Sequence, residues 1–85
     1  MEMYNVVITN RAEKDLKKLD KVYKRKISTA IDLLAVNPLL GEKMSGEYPG
    51  SYRVKIPPIR IIYALDHKNK IVWVRAVRQR QGAYK

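Results

Sequence analysis

Residues 51–77 read SYRVKIPPIRIIYALDHKNKIVWVRAV, in which β-branched and aromatic residues dominate. Apolar side chains alternate with polar or charged ones in the first part, which is typical of a strand with one buried face. Pro57-Pro58 and the polar segment 66–70 interrupt the pattern, because turns concentrate such residues. The stretch therefore predicts a meander of three antiparallel strands, at residues 51–56, 59–65 and 71–77.

A strand and two helices are predicted before this meander. Residues 3–9 alternate like a short strand, and Asn10 with Glu13 has the spacing of a capping box at the start of a first helix. Asp20 is the expected cap of a second helix, which ends before Pro38 because the residue preceding a proline avoids helical dihedrals. The apolar stripes of the helices are Ala12, Leu16 and Leu19 in the first, and Tyr23, Ile27, Ala30, Ile31 and Leu34 in the second.

The order β-α-α-β-β-β predicts one α+β domain over residues 1–85. A two-helix hairpin is expected on one face of a small, four-stranded, mostly antiparallel sheet. Residues 39–50 are expected to form a loop, since glycine and proline recur there. Tyr63 and Trp73 are assigned to the core, with base stacking as the alternative.

Charge is the strongest compositional feature. Eighteen Lys and Arg residues stand against eight Asp and Glu residues, a net charge of +10. The excess is concentrated in residues 46–85, which hold nine basic and two acidic side chains. A small domain with this imbalance attracts polyanions, and nucleic acid is the first candidate. The alternative is a solvated basic surface.

Several classes of site are disfavoured by composition. The chain has no cysteine, which excludes disulfides and thiolate metal sites. A single histidine, His67 in a polar turn, excludes a zinc site, and the scarcity of acids argues against a magnesium or calcium site. No cofactor is expected. No apolar run approaches the roughly 18 residues that span a membrane, and the N-terminus lacks the features of a secretory signal. We therefore expect a cytoplasmic protein without a membrane partner.

The meander carries cations where a core strand would exclude them. Arg53 and Lys55 share one face by alternation, and Arg60 interrupts an apolar strand. A charge within a small sheet is costly unless it faces a cleft, a partner or water. If the uncovered face is concave, these cations and Arg80 meet there, and together with Tyr84 they describe a pocket for a phosphate group.

The meander and the tail resemble the RelE/ParE superfamily of toxins from toxin–antitoxin pairs. The matching stretches are Tyr52-Arg53-Val54-Lys55, Ile59-Arg60-Ile61-Ile62-Tyr63, and Val74 to Tyr84. The helical half follows the family layout as well, so the resemblance covers nearly the whole chain. In one respect the chain departs from the pattern: Gln79 stands where many relatives carry a histidine before the tail arginine, so histidine-based acid–base chemistry is not expected.

The resemblance implies an endoribonuclease toxin that cleaves messenger RNA, typically on the ribosome, without a metal ion. In such toxins the ribose 2′-hydroxyl attacks the adjacent phosphate and leaves a 2′,3′-cyclic phosphate. By position, the catalytic residues are Arg53, Lys55, Arg60, Arg80 and Tyr84. Arginine binds phosphate bidentately, so Arg60 and Arg80 are the expected phosphate clamps. Lys55 and Tyr84 remain alternative candidates for the base, and Arg53 is expected to grip substrate.

If the protein is an endoribonuclease toxin, further contacts to RNA and further protein partners are expected. The candidate contacts to RNA or the ribosome are Arg78, Lys17, Lys18, Lys24 and Arg25, although lysines on helices most often form a solvated face. The resemblance implies a cognate antitoxin with an acidic binding segment, in a hetero-oligomer with the toxin. Two other functions stay open: a non-enzymatic inhibitor of DNA gyrase, as in the ParE branch, and a nucleic-acid-binding module without catalysis.

Overall fold

The computed structural model describes residues 3–44 and 50–79. Their elements, in chain order, are β1 (Asn5–Ile8), α1 (Asn10–Lys17), α2 (Lys21–Val36), β2 (Glu42–Lys43), β3 (Ser51–Ile56), β4 (Ile59–Asp66) and β5 (Ile71–Gln79). The strands form one sheet in the order β1-β5-β4-β3-β2, in which β1 runs parallel to β5 and the other pairs are antiparallel. The predicted α+β class is confirmed. None of the described helices is long and apolar enough to cross a membrane.

The sheet has five strands rather than the four that were predicted. The additional strand, β2, lies within the segment predicted to be a loop, and it pairs with β3 through Glu42 opposite Arg53. Gly41 permits this approach: a Cβ atom on it would lie 2.5 Å from the carbonyl oxygen of Arg53 and 2.8 Å from the hydroxyl of Tyr63. A strand of two residues has no alternation to detect, so the sequence pattern did not indicate it.

The start of α1 differs by one residue from the prediction. Thr9, not Asn10, is the N-cap, and its Oγ1 accepts a hydrogen bond from the backbone N–H of Ala12 at 3.2 Å. The same hydroxyl lies 3.0 Å from the carbonyl oxygen of Val74 and 3.2 Å from that of Arg75. Thr9 therefore joins the helix start to β5, a tertiary role that local spacing does not reveal. Asp20 occupies the N-cap position of α2, as predicted, but its side chain makes no capping hydrogen bond with the described residues.

Both apolar helix stripes pack on one face of the sheet, as predicted. The buried residues of the helices and the core-facing buried residues of β4 and β5 form a single cluster, and Tyr52, Val54 and Ile56 of β3 pack against it. Tyr63 is fully buried in this core. Trp73 was assigned to the core and is instead 38% exposed, because it alternates with the buried Val72 and Val74 and so points away from the helices. We call the side of the sheet that faces away from the helices the open face.

A β-bulge interrupts the pairing of β4 with β5. Ile62 pairs with Ala76 and the next residue, Tyr63, pairs with Val74, so Arg75 is an extra residue in β5. An extra residue in one strand reverses the alternation beyond it. Val74 faces the core before the bulge and Val77 faces it after the bulge.

Candidate functional site

Three cations lie side by side across the open face. Lys55 of β3 is directly opposite Arg60 of β4, and Arg60 is directly opposite Arg78 of β5. The two-residue Pro57-Pro58 turn sets the first pairing, since Ile56 and Ile59 flank it as partners. Directly opposite side chains lie on the same face of a sheet, with Cβ atoms about 5 Å apart. We call Lys55, Arg60 and Arg78 the cationic row.

Arg60 is the least solvated member of the row. It is half-buried, and its Nε atom is buried without a hydrogen-bond partner among the described residues. The adjacent row on the same face contains Ile62 and Ala76, both buried. A buried N–H without a partner costs free energy that an incoming acceptor recovers. Arg60 therefore has unused hydrogen-bonding capacity, which an anionic oxygen can take up once the side chain moves to expose Nε.

A carboxylate lies at the edge of the cationic row. The Oε1 atom of Glu42 is 3.7 Å from the Nε atom of Arg53 and 3.7 Å from the Nζ atom of Lys55. Analysis of the sequence missed Glu42, because only the pairing of β2 with β3 brings it to the site. Glu42 therefore places a negative charge at the edge of the row, in ion pairs that are solvent-exposed and contribute little to stability.

A hydrogen-bonded tyrosine on the core side fixes β2 in place. The hydroxyl of Tyr63 donates to the carbonyl oxygen of Pro38 at 2.8 Å and accepts from the backbone N–H of Gly41 at 2.9 Å. Burial raises the pKa of Tyr63, with the Gly41 hydrogen bond opposing this shift and Tyr52 adding to it. The rings of the two tyrosines stack with centroids 5.5 Å apart. The phenol therefore stays protonated at neutral pH and keeps both hydrogen bonds next to Glu42.

The predicted site residues divide into three groups. Arg53, Lys55, Arg60 and Arg78 come together on the open face, while Arg80 and Tyr84 lie outside the described residues. Lys18 and Arg78 line a cleft of about 350 Å³ between α1 and β5. In that cleft a carboxylate oxygen of Asp15 accepts a hydrogen bond from the backbone N–H of Val77 at 3.0 Å. The exposed side chains of Lys17, Lys24 and Arg25 belong to the helical layer.

The fold and the sequence match known toxins. Residues 6–84 match the family model of the ParE toxin of the type II toxin–antitoxin system parDE. A curated relative from Methanocaldococcus jannaschii, whose name gives it as toxin RelE1, is 36% identical over 86 residues, which cover 96% of each chain. These two matches define the class: a toxin of a type II toxin–antitoxin system.

Solved structures agree with this assignment. The toxin–antitoxin complex RelBE2 from Mycobacterium tuberculosis aligns with a TM-score of 0.84 and 25% identity, covering 92% of this chain and 99% of that chain. The isolated RelE toxin of E. coli aligns with a TM-score of 0.79 and 22% identity, covering 95% and 90%. The chain belongs to the ParE toxin family within the RelE/ParE superfamily, and the predicted resemblance is confirmed.

Proposed function

We propose that this toxin is an endoribonuclease that cleaves messenger RNA, in the A site of the ribosome, and that the open face binds the scissile phosphate. The supporting observation is the cationic row, in which the buried Nε atom of Arg60 has no hydrogen-bond partner among the described residues. Positive side chains that are fixed on adjacent strands stabilise the charge that develops on a phosphorane.

The proposed reaction is an internal transesterification. The ribose 2′-oxygen forms a bond to the adjacent phosphorus while a base takes its proton. The bond between phosphorus and the 5′-oxygen then breaks, and an acid protonates the leaving oxygen. The products are a 2′,3′-cyclic phosphate and a 5′-hydroxyl. Arg60 and Arg80 bind the non-bridging oxygens, and Arg53 holds an adjacent part of the substrate.

Three groups are candidates for moving the two protons: Glu42, Lys55 and Tyr84. In the structure the Nζ atom of Lys55 lies 3.7 Å from the Oε1 atom of Glu42, so a carboxylate stands beside the candidate lysine. A carboxylate is a common general base. We propose that Glu42 accepts the 2′-hydroxyl proton, that Lys55 stabilises the phosphorane, and that Tyr84 protonates the leaving oxygen.

The partners follow from the same proposal. The similar solved structures include toxin–antitoxin complexes from Mycobacterium tuberculosis, Pyrococcus horikoshii and E. coli. We propose that this chain likewise forms a hetero-oligomer with an antitoxin, and that an acidic segment of the antitoxin binds this basic domain and blocks the cationic row. The ribosome and messenger RNA are the proposed targets in the cytoplasm.

Primer extension on a defined message in a purified translation system tests the proposal. Wild-type toxin should create new 5′ ends that require ribosomes. Arg60→Gln and Arg80→Ala should each lower the cleavage rate by about 10²–10³-fold, because each removes a charge that stabilises the transition state. Lys26→Gln removes one positive charge from the exposed surface of α2 and should cleave like the wild type. Full activity of both arginine variants would contradict the proposed site.

The match to the ParE toxin model favours a second candidate function, inhibition of DNA gyrase without catalysis. The two functions separate in growing cells. Gyrase-dependent DNA breaks with intact messenger RNA would replace the endoribonuclease proposal. Salt-sensitive binding of nucleic acid, without cleavage and without DNA breaks, would leave a simple binding module.

A further inference from the structure

An exposed aromatic surface lies on the open face, apart from the cationic row. Trp73 is 38% exposed, and its neighbour across the parallel pair of strands is Val7, which is 36% exposed. On its other side Trp73 pairs with Ala64 of β4. Ala64 lies four positions after Arg60 along β4, which corresponds to about 13 Å. The two surfaces are therefore close enough for one short nucleic-acid strand to contact both.

Two adjoining hollows lie beside Trp73. One of about 310 Å³ is lined by Thr9, Ala64, Trp73 and Arg75, and one of about 290 Å³ is lined by Thr9, Arg11, Arg75 and Ala76. The small side chains of Ala64 and Ala76 leave this space open beside the indole ring. Both hollows have an arginine in their lining, and none of the acidic residues within 3–44 and 50–79 lines either of them.

Arg75, the extra residue in the bulge, lines the same hollow as Trp73. As the extra residue of β5, it is exposed, and its guanidinium donates a hydrogen bond to Ser51 Oγ of β3 at 3.4 Å. Ser51 and Trp73 are both partners of Ala64, so the arginine extends along the same row of the open face. A guanidinium and an aromatic ring side by side suit a nucleotide, which offers a flat base and an anionic phosphate.

We propose that Trp73 stacks on a base of single-stranded RNA a few nucleotides from the scissile phosphate, while Arg75 and Arg11 contact the RNA backbone. The inference rests on the proposed endoribonuclease function and deepens it by naming a second substrate subsite. The cations in the hollows and the continuity of the open face with the cationic row favour RNA over an apolar protein segment. Trp73 is a positioning residue for substrate and does not reach the reacting atoms.

The single tryptophan of the chain makes the test direct. Purified full-length toxin is titrated with short single-stranded oligonucleotides that carry 2′-O-methyl groups and resist cleavage, while the tryptophan fluorescence is followed. A matched set of oligonucleotides has the same phosphates but abasic sugars. Base-containing strands should quench Trp73 and bind about tenfold more tightly than abasic strands.

Variants then separate stacking from charge. Trp73→Ala should bind base-containing strands about tenfold more weakly and bind abasic strands like the wild type, whereas Trp73→Tyr should restore most of the preference. Leu39→Ala removes an exposed apolar side chain far along the chain from β5 and serves as the control. Binding is measured by the mobility of labelled strands wherever the tryptophan is absent.

Each other result overturns the inference. Equal affinity of wild-type toxin for base-containing and abasic strands would show that only charge acts at this surface. Absence of binding by any strand would reject the subsite, while the translation assay still reports separately on cleavage. Unchanged RNA binding by Trp73→Ala, together with loss of its co-purified antitoxin, would assign the surface to a protein partner.

Discussion

The open face of the sheet and the outer surface of the helices are both basic, yet they hold their charges differently. The helix lysines and Arg25 are exposed on flexible side chains, with water on most sides. Arg53 and Arg60 are half-buried, each with an Nε atom that lacks a hydrogen-bond partner among the described residues. These two guanidiniums therefore have fewer free rotamers and a lower local dielectric than the helix lysines, and they interact more strongly with an anion, whereas Lys55 and Arg78 on the same face are exposed.

This difference shows that the net charge of the protein and the local arrangement of its cations are separate properties. A charge of +10 attracts any polyanion at long range, whatever the arrangement of the side chains. Only strand pairing brings Lys55, Arg60 and Arg78 into one row, at a spacing that suits the oxygens of a phosphate group. We expect the helices to contribute to association and the open face to contribute to chemistry.

The largest expected effect compares two double variants that remove equal charge. Lys55→Gln/Arg60→Gln should lower the rate of message cleavage by about 10³-fold or more at saturating toxin, because both changes act on the transition state. Lys24→Gln/Arg25→Gln should only raise the toxin concentration needed, by about tenfold or less, and this shift should shrink at higher salt. The measurement is primer extension across a toxin titration at two ionic strengths. Equal loss from both pairs would remove the distinction between the two regions.

A smaller effect is expected from the anion of the open face. Glu42→Gln should lower the single-turnover cleavage rate by about 10²-fold, since the proposed base is lost. Binding to an uncleavable 2′-O-methyl message should be kept or strengthened, because the neutral side chain no longer competes for Arg53 and Lys55. Asp32→Asn, an exposed acid on α2, is the matched control for charge. A wild-type rate in Glu42→Gln would return the role of base to Lys55 or Tyr84.

The smallest effect concerns how the core supports the open face. Tyr63→Phe removes the hydrogen bonds to Pro38 and Gly41 and should lower the free energy of unfolding by about 1–3 kcal/mol. Because the folded pKa of Tyr63 is raised, its contribution is fully present below the unfolded pKa of about 10 and is lost as the pH rises through the folded pKa. Urea unfolding from pH 7 to pH 11 measures both effects. An unfolding free energy equal to that of the wild type at pH 7 would show that these hydrogen bonds do not hold β2.

Most of the fold could be predicted because its signals are local. Each apolar stripe repeats with the period of its own element, so the helices and the three long strands were visible in the chain. The error at Trp73 arose from weighting side-chain type over alternation, although the two buried valines that flank it already indicated the opposite face. Hydrophobic character alone does not determine burial in a sheet with one uncovered side.

The candidate site was only partly predictable, for a related reason. Arg53, Lys55 and Arg60 belong to strands with a clear alternation, so their shared face followed from the pattern. The position of Glu42 depends on the pairing of two residues of β2 with β3, which the close approach of Gly41 allows. Such a pairing is a tertiary contact, which the local sequence pattern does not show. The bulge at Arg75 has no glycine or proline to mark it, so the sequence pattern did not reveal the reversal that follows.

The bulge adds one residue to β5 relative to β4 and so changes which residue numbers face the helices. Upstream of Arg75 one parity of residue numbers faces the helices, and downstream the other parity does. If Arg75 were instead paired regularly with β4, the guanidinium of Arg78 would turn towards the apolar helices, where an unpaired charge is costly; the bulge takes up the extra residue and avoids this. Replacing Arg75 by another residue keeps the frame. The direction of the cations that follow therefore depends on Arg75 staying outside the regular pairing, and not on which side chain occupies the extra position.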